Sequence, residues 1–228
     1  MRRLLFFVLS LLLFNNGFAQ SEVNKVEQEA AYTKVITARA QKIVTALALT
    51  DSVKAAMITT VLTEHYRNLN AIQNGREAQI KEIKTNGASK EETEATLRKV
   101  QDEAAEKTTK LHAAFLTKLS SQLTAGQVAK VKDGLTYNVL PITYKAYLDM
   151  IPSLRPTEKD QIMAWLIEAR EFAMDAESSD KKHWWFGKYK GRINNYLAAQ
   201  GYDLQKERKD WGERTKAKEE QKKTAQAL

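Results

Sequence analysis

The stretch Ile80–Val100, IKEIKTNGASKEETEATLRKV, decides the fold class. On its near side Ile80 and Ile83 close an apolar seam that begins at Val53 and runs through Met57, Val61, Leu69 and Ile72. A helix of about 3.6 residues per turn lays such a seam along one stripe. Thr50 can cap this helix, and Asn86-Gly87 stops it, because glycine accepts the left-handed backbone of a C-terminal cap. Ser89 and Glu92 then form a capping box, in which hydroxyl and carboxylate each satisfy an orphan backbone donor. The helix they open continues through Leu97, Val100, Ala104, Leu111, Phe115 and Leu119. Two helices of about thirty residues joined by a glycine turn make a long antiparallel hairpin.

Outward from the hairpin the spacing stays helical. Val35, Ile36, Ala40, Ile43, Val44 and Leu47 place a helix over roughly Glu22 to Leu47. Thr124 opens a short helix to Gly134. Leu135 to Arg155 holds a short apolar helix between irregular segments, since Pro141 and Pro152 interrupt anything longer. Pro156-Thr157, with Asp160 three residues after Thr157, opens an amphipathic helix through Ile162, Trp165, Leu166, Ala169 and Phe172. Ser178-Ser179-Asp180 breaks it and caps the next, which ends at Gly201 with Tyr202 placed to fold back on Leu197. Residues beyond Arg214 are helix-prone but polar, and fraying is expected over 215–228.

Composition agrees. With 228 residues, 9 Gly, 3 Pro and no Cys, the chain lacks the turn residues that many strands need. The expected class is all-α, a helical bundle with the long hairpin and a C-terminal aromatic-basic helical region. No cysteine also means no disulfide framework, thiolate zinc site or Cys nucleophile.

The first residues read as an export signal. Arg2 and Arg3 supply a positive start, Leu4 to Phe14 an apolar run, and Gly17-Phe18-Ala19 small residues for cleavage before Gln20. Spanning a bilayer takes about 20 apolar residues, and Asn15-Asn16-Gly17 end the run too early. The reading is a signal peptide over 1–19 and a single helical domain over 20–228, periplasmic or secreted, with no transmembrane segment after cleavage. From Lys181 to Leu228 there are 13 basic and 6 acidic residues, whereas Gln20 to Asp180 holds 21 and 22. For an exported protein that basic excess points to an anionic polysaccharide, lipopolysaccharide or an acidic protein partner rather than to nucleic acid.

Chemistry-bearing motifs are scarce. His65, His112 and His183 form no ligand pair at helical spacing, so no metal site or cofactor is expected. No phosphate loop, dinucleotide fingerprint or nucleophile elbow occurs. Glu168, Glu171 and Asp175 share one helical face and are the carboxylates best placed for glycoside chemistry, although solvated ion pairs explain them as well. No catalytic residue is assigned, and the balance leans away from an enzyme.

The densest text is His183-Trp184-Trp185-Phe186-Gly187-Lys188-Tyr189-Lys190-Gly191-Arg192-Ile193-Asn194-Asn195-Tyr196. Aromatic rings present flat apolar faces to the C–H side of a pyranose, while Lys, Arg and Asn donate to hydroxyls or a carboxylate. Trp185, Tyr189, Ile193 and Leu197 could equally form a core stripe. Trp184, Lys188, Arg192 and Asn195 lie on an adjoining one, and Gly187 and Gly191 allow close approach of a backbone or ligand. The candidate ligand-binding residues are Trp184, Lys188, Tyr189, Arg192, Asn194 and Asn195.

The run from Trp185 to Leu197, followed by Gln200-Gly201-Tyr202-Asp203-Leu204, resembles the C-terminal signature of an uncharacterised family of exported bacterial helical proteins. The resemblance extends to the Leu49-Thr50 and Leu123-Thr124 helix starts. It implies sugar binding as the suggested role and polysaccharide-degrading bacteria as the setting, and it carries no catalytic residues. A fainter similarity links Leu123-Thr124-Ala125-Gly126-Gln127 to the L-T-x-x-Q pattern of periplasmic helical stress chaperones. The leading expectation is therefore a non-catalytic protein that associates with carbohydrate through its C-terminal region. The alternatives are a chaperone or scaffold for protein clients, and a glycan-active enzyme using carboxylates such as Glu168 and Asp175.

Overall fold

A computed structural model describes the backbone of residues 8–85 and 89–226. The described residues form eight helices: α1 (Val8–Thr45), α2 (Ser52–Thr85), α3 (Lys90–Ser120), α4 (Ala125–Leu135), α5 (Val139–Met150), α6 (Pro156–Met174), α7 (Ser179–Ala199) and α8 (Leu204–Gln226). No strand occurs among the described residues, and none of their helices is long and apolar enough to cross a membrane. Arg2, Arg3 and the expected stop at Gly87 lie outside the described residues.

The chain groups into two compact units that divide within α2, after Arg67. In the first, the stripe read from sequence is buried: Ile36, Ala40, Ile43, Val44 and Leu47, with Ile58 and Leu62 of α2. The Tyr32 hydroxyl donates to the Tyr66 carbonyl at 3.1 Å, and Arg67 donates to Thr33 Oγ1 at 3.0 Å. Helix α1 is already helical at Val8, the first described residue, ahead of the expected Glu22. The cap of α2 is Asp51 rather than Thr50, because Asp51 Oδ1 accepts from the backbone of Val53 and Lys54.

In the second unit α6 packs on α7 more extensively than any other helix pair, and α4, α5 and α8 complete the bundle. Its core gathers Ile162, Leu166, Ala169 and Ala173 of α6 against Phe186, Tyr189, Ile193 and Leu197 of α7. Each set recurs at intervals of three and four, one face of a helix. Small Ala169 and Ala173 let the two backbones come close. Burying one large aliphatic side chain here contributes about 1.5–3 kcal/mol.

The caps follow local chemistry. Both halves of the Ser89–Glu92 box form, and so do those of Thr124 and Gln127. Helix α5 tolerates Pro141 because it falls in the first turn, where a backbone N–H would have no intrahelical partner. Helix α6 opens at Pro156, as expected, with Arg155 and Glu158 as its capping pair in place of Thr157 and Asp160. Arg155 is its N-cap, Pro156 follows at the first helical position, and Glu158 accepts from the Arg155 N–H at 2.8 Å. Glu158 is fully buried, and the Tyr202 hydroxyl also donates to it at 2.7 Å. At the end of α7, Gly201 takes φ +94°. The Tyr202 N–H returns to the Leu197 carbonyl and the Gly201 N–H to Ala198, a Schellman motif. Helix α8 continues past Arg214 to Gln226.

Lys182 fixes the start of α7. Its buried ammonium donates to the carbonyls of Leu135 and Met174, each at 3.0 Å, the last residues of α4 and α6. A helix C-terminus carries roughly half a negative charge, so two of them offset one buried cation.

A candidate binding groove beside the aromatic cluster

Within the second unit, the C-terminal half of α2, helix α3, the end of α6 and the start of α7 surround an open groove of about 590 Å³. One wall is aromatic. Phe172 and Trp185 stack at 4.5 Å with planes 15° apart, and Trp184 meets Trp185 edge-on at 5.0 Å. Phe172 and Trp184 are 47% and 53% exposed, so flat apolar surface stays open to solvent although a full core lies directly behind it. Lys188 lies 5.7 Å from the Trp184 ring and 5.2 Å from Trp185, and Lys181 lies 5.8 Å from Trp184. These separations suit cation–π attraction.

The opposite wall carries the polar groups of Gln73, Arg76, Gln101, Thr108, Thr109 and His112, together with Ala104 and Ala105. Arg76 is ion-paired with Glu177. Gln73 Oε1 and Arg76 Nε, one helical turn apart, are buried with no hydrogen-bond partner among the described residues. An acceptor and a donor left unmade each cost about 1–3 kcal/mol until something pairs with them.

At the base, His112 Nδ1–H donates to Asp175 Oδ2 at 2.5 Å. Its other ring nitrogen lies 3.8 Å from Glu171, which Lys132 holds at 2.7 Å. The hydrogen bond to Asp175 raises the His112 pKa above its ordinary value, against the opposing effect of burial. The dyad joins α3 to α6 across 63 positions of sequence. Periodicity on one helix does not encode that pairing. It does place Glu171 and Asp175 together, four residues apart on one face.

The six residues singled out from sequence divide into two groups. Trp184, Lys188, Arg192 and Asn195 are exposed along α7. Arg192 lies over the Trp165 ring at 4.6 Å and 3.6 Å from Glu168. Tyr189 is buried, and burial pushes its hydroxyl up to about 12, with its hydrogen bond to Glu168 adding to the shift. Asn194 is half-buried and accepts from the Tyr147 hydroxyl at 2.7 Å. Glu168 thus stands apart from Glu171 and Asp175. Open space lies where a side chain would start at Gly187 and Gly191, so no backbone approaches either one. Sequence reasoning missed Phe172, Gln73, Arg76 and His112 as groove residues. Only the uncommon run of rings at 184–186 hinted at a partner ring on a neighbouring helix.

Among the described residues no three His, Cys, Asp or Glu side chains converge to hold a metal ion. No curated protein matches the chain. Residues 33–217 match the family model described as a protein of unknown function, DUF3826. That match runs from α1 into α8 and takes in every residue of the groove, and the chain belongs to the DUF3826 family.

Proposed function

We propose that this protein acts outside the cytoplasm and binds carbohydrate in the groove between α2–α3 and α6–α7. The observation that carries the reading is the pairing of an exposed aromatic wall, Phe172, Trp184 and Trp185, with a polar wall across about 590 Å³ of open space. A pyranose has the same two sides, an apolar C–H face and a rim of hydroxyls. The open mouth suits an internal unit of a chain better than an enclosed monosaccharide. Beyond it, Lys188 and Arg192 continue along α7 and favour anionic polymers. The resemblance of the 185–204 signature to a family with a suggested sugar-binding role points the same way.

Screening the purified protein on a glycan array, followed by calorimetry on the hits, tests the proposal. Saccharide binding that disappears in Phe172→Ala supports it. Silence across neutral and acidic glycans at millimolar concentration, together with suppression of client aggregation, replaces it with the chaperone reading.

A further inference from the structure

We infer that the groove is also a catalytic site, in which His112, positioned by Asp175, cleaves uronate-containing polysaccharide by β-elimination. The inference rests on the groove being a saccharide site, and it adds a reaction and a substrate class to it.

The chemistry follows from which groups are already engaged. Hydrolysis of a glycoside needs one carboxyl that donates a proton and a second that attacks or activates water. Here Glu171 is held by Lys132 at 2.7 Å, Asp175 by His112 at 2.5 Å and Glu177 by Arg76. Each of these carboxylates is thus already engaged by a side chain of the protein. The group built to move a proton is His112. Asp175 orients the ring and fixes the proton on Nδ1, while Nε2 lies beyond hydrogen-bond reach of Glu171, at 3.8 Å, and His112 is one of the residues that line the groove. A carboxylate that orients an imidazole in this way is the usual support of a general base.

A uronate unit gives that base a proton to remove. Its C5–H is acidified by the adjacent carboxyl once a cation neutralises the charge. Lys181, at the lip of the groove against Trp184, has no carboxylate partner among the described residues and is placed for that task. His112 Nε2 takes the C5 proton, the C5–H electrons form the C4=C5 double bond, and the C4–O4 bond breaks. The imidazolium returns its proton to the departing oxygen, which becomes the hydroxyl of a new reducing end. No water, metal or second co-reactant enters the balance.

The groups facing His112 are Glu171 of α6, Asp175 at the C-cap of that helix and Lys132 of α4, with Arg76, Glu177 and Lys181 elsewhere in the groove. With the imidazole pKa raised, the active neutral form accumulates as pH rises above the ordinary His range.

The test incubates the full chain with polygalacturonate, alginate and hyaluronan and follows the ultraviolet absorbance of the unsaturated product. Binding to the same polymers is measured separately by affinity electrophoresis. Expected are new unsaturated ends from at least one polymer, a loss of about 10²–10⁴-fold in kcat in His112→Gln with binding retained, and an ascending pH limb that moves down in Asp175→Asn. Retardation by a uronate polymer without unsaturated product overturns the catalytic inference and leaves the binding proposal standing. New reducing ends without unsaturation also overturn it. Failure to bind any saccharide removes the binding proposal, and the inference with it.

Discussion

Replacing Lys182 with Met removes the ammonium that joins the ends of α4 and α6 to the start of α7 and keeps most of the apolar stem. Two hydrogen bonds from a charged donor are lost, each contributing roughly 1.5–3 kcal/mol. The variant also escapes the cost of burying a cation, which offsets much of that sum. What remains is two C-terminal carbonyls deprived of this donor in a buried setting, at about 1–3 kcal/mol each. A net loss of about 2–4 kcal/mol is expected. At about 2–4 °C per kcal/mol for a chain of this size, the Tm of Lys182→Met falls by roughly 4–16 °C. Circular dichroism melting reads this directly, with exposed Lys181→Met as the control, expected within about 0.5 kcal/mol of wild type. If the two variants melt within a degree of each other, the two helix ends do not depend on Lys182, and the compensation argument is wrong.

Acid should act through Glu158. Burial alone pushes its carboxyl up, and hydrogen bonds from Arg155 and Tyr202 outweigh that and hold it at about 2. A folded-state value below the unfolded one, near 4.5, contributes stability that is complete above pH 4.5 and is lost as pH falls toward 2. Denaturant midpoints should therefore drop across that window in the wild type and vary less in Glu158→Gln, which should also be the weaker protein at pH 7. The Gly187→Ala/Gly191→Ala pair should gain stability, since each glycine costs an exposed helix interior about 0.5–1 kcal/mol and nothing occupies the added methyl's place. A fall in Tm for that pair would show a neighbour packed against α7 at these positions.

The helix pattern was legible because it is local. Three-and-four spacing gave the stripe of α1, the Ser89–Glu92 box set the start of α3, and Gly201 with Tyr202 gave the Schellman end of α7. Errors at helix caps were contests between neighbouring residues. Asp51 displaced Thr50, and the Arg155–Glu158 pair displaced Thr157–Asp160, two positions further on, because Pro156 takes the first helical position and leaves the cap to Arg155. In α7 the buried stripe runs through Lys182, Phe186, Tyr189, Ile193 and Leu197, one register from a stripe led by Trp185. The two candidate leaders are adjacent aromatics, and periodicity alone does not choose between them. The groove was largely illegible because its walls meet through tertiary packing. Trp184 could be read as a ligand contact, whereas its partner ring Phe172 and the polar wall on α2 and α3 could not.

The account turns on whether the exposed rings beside α3 grip a sugar. Titrating the wild-type protein and Trp184→Ala with the best-binding glycan, at matched helicity and Tm, measures that most directly. An exposed ring that anchors a ligand is worth at least about 2 kcal/mol, so the account predicts an affinity loss of about 30-fold or more. Equal affinity in the two proteins would contradict it.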